Sequence, residues 1–110
     1  MGRPHLDYLT VLKTDNQAAA QTDKVVWTPA SGYRIVLLGV VISTNAANNV
    51  ELESSDVDVI PPIYLAANGG AVVAVGGRPI WIGAVDATLA YTSSAATNVS
   101  VALIGYEDRF

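Results

Sequence analysis

Apolar residues recur along this chain in short runs with a period of two, and turn-forming residues break the runs at close intervals. The stretch His5–Thr14, "HLDYLTVLKT", alternates Leu6, Tyr8 and Leu12 against Asp7, Leu9, Val11 and Lys13. Such alternation predicts a strand with two unlike faces. Residues 17–21 hold three alanines between polar neighbours. A helix that short does not hold alone, so this stretch reads as a polar connection. Lys24–Trp27, "KVVW", predicts a second strand, closed by Thr28-Pro29 because proline removes a ladder donor.

Tyr33–Thr44, "YRIVLLGVVIST", is the strongest strand signal, and its apolar run without polar alternation predicts cover on both faces. Gly39 within it marks a bulge or a close backbone approach. In "VELESS", Val50 and Leu52 share one face while Glu51 and Glu53 share the other, which is expected to meet water. "DVDVIP" repeats the pattern with Asp56 and Asp58 and is expected to end at Pro61-Pro62. "IYLAANGG", "AVVAV", "RPIWIG", "ATLAYTS" and "NVSVALIGYE" supply the remaining strands. In the last, Val99, Val101 and Leu103 point inward, and Ser100, Ala102 and Ile104 point the other way.

The count is eight or nine short strands with no crossover helix. The expected fold is therefore all-β: a single-domain antiparallel β-sandwich, jelly-roll-like, and not α/β. Residues 1–23 read as an N-terminal strand or arm plus polar linker, and residues 24–110 as the sandwich domain.

Composition narrows the function. The 110 residues are 51% hydrophobic and only 15% charged, against about 25% charged in ordinary soluble domains. A surface so poor in charge suits burial against other copies of the chain, so a homo-oligomer is expected. Ten acids against six bases give a net charge of −4, and the bases are scattered singly. Nucleic acid and anionic membrane are not expected partners, because both need a cationic patch. No run approaches the length needed to span a bilayer, and the mixed stretch after Arg3 does not read as a signal peptide. The absence of cysteine excludes disulfides and thiol chemistry.

Candidate chemistry is sparse. His5 is the single histidine, with no second base and no G-x-S-x-G elbow to build a triad. Glu51, Glu53, Asp56 and Asp58 form the one acidic cluster. Carboxylates suit Ca²⁺, but the segment lacks the order of an EF-hand loop, and a solvated strand face and turn is the expected role. "NGG" and "VGG" read as hairpin turns, since no helix follows either to present amides to a phosphate. Trp27, Trp81, Tyr91 and Tyr64 are the candidate rings of a sugar-stacking platform. Trp27, at a strand end before Pro29, is expected to be the more exposed tryptophan. Trp81, between Ile80 and Ile82, is expected in core or subunit packing, and Tyr106 at one end of the sandwich. "NVS" at Asn98–Ser100 matches a glycosylation sequon and is given no weight without a signal peptide. No catalytic, cofactor-binding or metal-binding residue is assigned, and no enzyme is expected.

From Tyr33 to Gly70 the chain resembles a family of small β-sandwich virion structural proteins of tailed phages and prophages. The resemblance is carried by "GYRIVLLGVVIST", "AANNVELESSD" and above all "IYLAANGG", with the closing "NVSVALIGYE". It covers roughly two-thirds of the chain. The stretch Gly76–Ala90 is shorter than the family's pattern, and "MGRPHLDYLTVLKT" is not matched. The resemblance implies a non-enzymatic virion component of the capsid decoration or head-associated type, forming a homotrimer and contacting the major capsid protein or other virion proteins. The alternative is a carbohydrate-binding or receptor-binding β-sandwich module.

Overall fold

A computed structural model describes residues 10–76 and 78–109. His5 and the first nine residues of the expected arm lie outside them. Among the described residues there are nine strands and no helix: β1 (Val11–Gln17), β2 (Gln21–Trp27), β3 (Tyr33–Thr44), β4 (Asn48–Ser54), β5 (Val57–Leu65), β6 (Gly70–Ala74), β7 (Trp81–Ile82), β8 (Leu89–Ser93) and β9 (Val99–Arg109). They form two antiparallel sheets packed as a sandwich. One runs β1-β9-β3-β6, with β7 also pairing β3; the other runs β2-β8-β4-β5. The pairs β1·β9, β2·β8, β3·β6 and β4·β5 are nested, like one long hairpin wound around itself, and that winding is a jelly roll.

The core lies between the sheets. Trp27, Ile35, Leu37, Val40, Leu52, Leu89, Tyr91 and Leu103 are fully or almost fully buried there. Full burial of one such side chain stabilises the fold by about 1.5–3 kcal/mol before the entropy cost of ordering it. In β9 the alternation is as expected: Val99, Val101 and Leu103 are inside. In β3 the double cover is confined to the first part of the strand, where Ile35, Val36, Leu37, Gly39 and Val40 are buried; farther along, Val41 and Ser43 face out. The β3–β9 register shifts between Leu37 and Gly39, leaving Leu38 as the extra residue of a bulge.

Four sequence expectations need correction. Trp27 is not exposed: it is 0% accessible, and its indole N–H donates to Glu107 Oε2 at 2.8 Å. The other Glu107 oxygen accepts from the Ala30 amide at 2.9 Å, so one carboxylate ties the β2–β3 turn to β9. Pro61-Pro62 does not end a strand. β5 continues from Val57 to Leu65 because it is the outer edge of its sheet, where a missing donor costs no ladder bond. The register with β4 shifts across this pair, so the prolines occupy a bulge. "NGG" is not a hairpin turn. Asn68 takes a φ of 57°, and the turn carries the chain from β5 in one sheet to β6 in the other. The fourth correction, Glu53, belongs to the site below. Of the segment assigned to the arm, Val11–Gln17 is an edge strand paired with β9 of its own chain.

The ladder fixes which residues share the outward face of the β1-β9-β3-β6 sheet. Leu12, Ile104, Gly39 and Ala74 form one row across the four strands. Thr14, Ala102, Val41 and Val72 form the next, and Asn16, Ser100, Ser43 and Gly70 the third.

Candidate functional site

The acidic cluster sits on the outward side of the other sheet, and strand pairing explains how it assembles. Glu51 and Glu53 lie on β4, and Glu53 pairs with Asp58 across the β4–β5 hairpin. That hairpin closes through Ser55 and Asp56, with φ of 50° and 64°, the two left-handed residues of a type I′ turn. A register shift between Gln21 and Lys24 in β2 leaves Asp23 in the left-handed region at φ 51°. Its amide donates to Thr92 Oγ1 at 3.1 Å. As a result, carboxylate oxygens of Asp23, Glu53 and Asp56 lie within 4.8 Å of one another.

Glu53 is the correction to the solvated-face expectation. It lies on the outward face, as the regular β4–β8 register requires, yet it is only 7% accessible because Asp23, Asp56 and Thr92 close around it. It accepts a hydrogen bond from the Thr92 hydroxyl. Burial, then the neighbouring Asp23 and Glu51, holds its carboxyl above the usual range, against the opposing pull of Thr92. Glu51 is likewise raised, first by burial and then by Asp58. Asp56 and Asp58 are exposed, as expected. Asp23 was missed because its partners Glu53 and Asp56 lie thirty and thirty-three residues away in sequence; its one local sign is an aspartate beside a polar connection. Chemically, the trio can share a proton or offer hard oxygen ligands.

The aromatic candidates separate. Tyr91 is buried, and its hydroxyl donates to Asp15 Oδ2 at 2.7 Å. Burial, then Asp15, pushes its phenol well above the usual range. Trp81 packs half-buried against the core. Tyr106 is half-buried near the far end of β9. Tyr64 alone of the proposed platform is open to solvent, at 76% accessible. It stands across from Asn49 in the β4–β5 ladder. With Glu51, Pro62, Thr92 and Ser94 these two line a depression of about 160 Å³.

Two larger depressions lie elsewhere. One of about 430 Å³ lies over β9 on the outward face of the β1-β9-β3-β6 sheet, lined by Thr14, Asn16, Val41, Ser43, Ser100 and Ala102 among others. It adjoins one of about 550 Å³ at the end of the sandwich, where Asn45, Asn68 and Asn98 converge. Asn98 donates its amide to Asn45 Oδ1 at 3.0 Å, so the sequon asparagine belongs to this ledge.

No family model matches this chain, and no curated protein does. Among solved structures it is similar to that of the virus-like particle of the extra small virus of the giant freshwater prawn Macrobrachium rosenbergii. The likeness covers 93% of this chain and 81% of that one, with 13% identity and a TM-score of 0.38.

Proposed function

We propose that this chain is a non-enzymatic virion structural protein of the capsid decoration or stabilising type, acting as a homo-oligomer. The observation that supports it is the filled interior. Trp27, Tyr91, Leu89 and Leu103 are wholly buried between the sheets, so the two layers make a solid tile whose contacts lie on its outside. Jelly rolls serve in shells and in lectins alike. A sugar platform needs its rings at the surface, and here Trp27 and Tyr91 are inside.

Two measurements test this reading. Particles banded on a density gradient should contain the chain's peptides by mass spectrometry; peptides confined to the soluble fraction would overturn the virion role. Light scattering on the purified protein should give a stable mass near three times 11.5 kDa. A mass of one chain at every concentration would overturn the oligomeric part.

A second reading, a carbohydrate-binding module, draws on Tyr64 beside Asn49 and Glu51. A neutral pyranoside that shifts the Tyr64 and Asn49 resonances saturably would favour it, and loss of that response in Tyr64→Ala would place the sugar there.

A further inference from the structure

We propose that the outward face of the β1-β9-β3-β6 sheet is where copies of this chain meet. The proposal rests on the homo-oligomeric reading above and names its contact surface. Three observations carry it.

The first is charge. None of the outward residues in the three ladder rows of this face is ionisable, on a chain that holds ten acids and six bases; beyond them β3 and β9 carry the ion-paired Arg34 and Asp108, and Asp15 at the edge of the trough is bonded to the Tyr91 hydroxyl. The outward side of the other sheet carries Glu51, Glu53 and Asp58, with Asp23 and Asp56 beside them. Two copies of net charge −4 that met through that side would set carboxylate against carboxylate. A like pair 4 Å apart costs about 4 kcal/mol at an effective dielectric of 20. The neutral face lets the same two copies approach with their acids turned away.

The second is relief. The middle strand, β9, turns Ser100 and Ala102 outward, and these small side chains floor the depression of about 430 Å³. The edge strands stand higher. Leu12 on β1 is 61% accessible and Val72 on β6 is 73% accessible. Apolar ridges and a trough on one face let part of one copy's face seat in part of the next, and such head-to-tail contacts close into a ring.

The third is extent. Four strands about 4.8 Å apart, and three rows about 6.8 Å apart, span roughly 400 Å² per copy. A specific interface buries at least about 1,000 Å² over both partners. The face alone, about 800 Å² over two copies, approaches that bound, and the ledge of Asn45, Asn68 and Asn98 adjoins it. The result is an apolar centre bordered by uncharged amides and hydroxyls, the usual anatomy of a protein interface.

The test compares three variants with the wild type by light scattering over a range of concentrations, with melting curves to confirm folding. Val72→Lys alters a side chain already in water, and Ala102→Arg fills the trough. Tyr64→Lys is the control, equally exposed on the opposite sheet. The expected result is a multimer for the wild type and Tyr64→Lys, and a mass near 11.5 kDa for folded Val72→Lys and Ala102→Arg. Wild-type mass retained by both of those variants would overturn this face while leaving the homo-oligomeric reading in place. A multimer broken by Tyr64→Lys alone would move the contact to the acidic sheet and overturn the proposal. A monomeric wild type whose peptides still band with particles would overturn self-contact and leave the virion role standing.

Discussion

A carboxylate as enclosed as Glu53, beside Asp23 and Asp56, has to be protonated, paired with a cation, or held at a cost in stability. The Thr92 hydroxyl donates to it. The pH dependence follows from the raised affinity of Glu51 and Glu53 for protons in the folded state. Between the ordinary value of 4.5 and the raised ones, the folded chain binds more protons than the unfolded chain. Stability contributed by these two groups therefore falls as pH rises through that window, and is recovered on acidification. Glu53→Gln keeps an acceptor for Thr92 and gives Asp23 a donor. It should raise the melting temperature at pH 7, by a few degrees if the gain is about 1 kcal/mol, and leave it unchanged near pH 4. A thermal melt series across pH checks both the sign and the window. Glycine supplies a second residue-scale prediction. A Cβ on Gly39 would meet only ordinary contacts, the nearest at 3.7 Å. A Cβ on Gly105, across the ladder at the bulge, would collide with the Val36 carbonyl oxygen. Gly39→Ala should be nearly neutral in denaturant unfolding, and Gly105→Ala should cost about 1–3 kcal/mol. The sequence drew attention to Gly39 because it interrupts an apolar run; the constrained glycine is its neighbour in space, which only the register reveals.

Individual strands differ in how much of themselves the local sequence declares. β3 and β9 sit inside their sheet, and their apolar runs announced both their extent and, in β9, the inward face. β5 did not, because whether a proline ends a strand depends on whether its amide faces a neighbour, and edge position is a tertiary property. The acidic face failed for a related reason. Period-two reasoning puts Glu53 on the outward face, where it does lie, but Asp23, Asp56 and Thr92, brought in by other segments, close it off from water. Trp27 was misjudged from its place before Pro29, since the acceptor that makes burial of its indole N–H tolerable, Glu107, is eighty residues away. Element position also sets local stability. Hydrogen exchange should be slowest in β3 and β9, paired on both sides, and faster in the edge strand β5 and the two-residue β7. Equal protection in β5 and β9 would contradict this ranking.

For the molecule as a whole, nearly every stabilising pair joins distant parts of the chain. β4 and β5 are the nearest partners, joined by a two-residue turn, while β1 finds its partner only in β9. A topology so rich in remote pairs folds slowly, on the order of milliseconds to seconds. Refolding by stopped-flow fluorescence of Trp27, which starts exposed and ends inside, should fall in that range; completion within microseconds would contradict it. Jelly-roll architecture was legible in the sequence because strand number, strand length and turn spacing are local quantities. Which strand pairs with which is not local, and so the neutral face, assembled from four strands far apart in the chain, could not be read beforehand.

The nesting of the pairs has a consequence for how the protein is made. Synthesis delivers β1 long before β9, yet these two lie side by side. A nascent chain holding everything up to Ser94 can close β4 on β5, and β2 on β8. It cannot complete the sheet that β9 joins on both sides, and it has no floor for the trough between Leu12 and Val72. That surface thus appears only once β9 has emerged and paired with β1 and β3. Copies proposed to meet through this face do so only after β9 is in place, which keeps neighbouring nascent chains on one message from tangling through half-built faces.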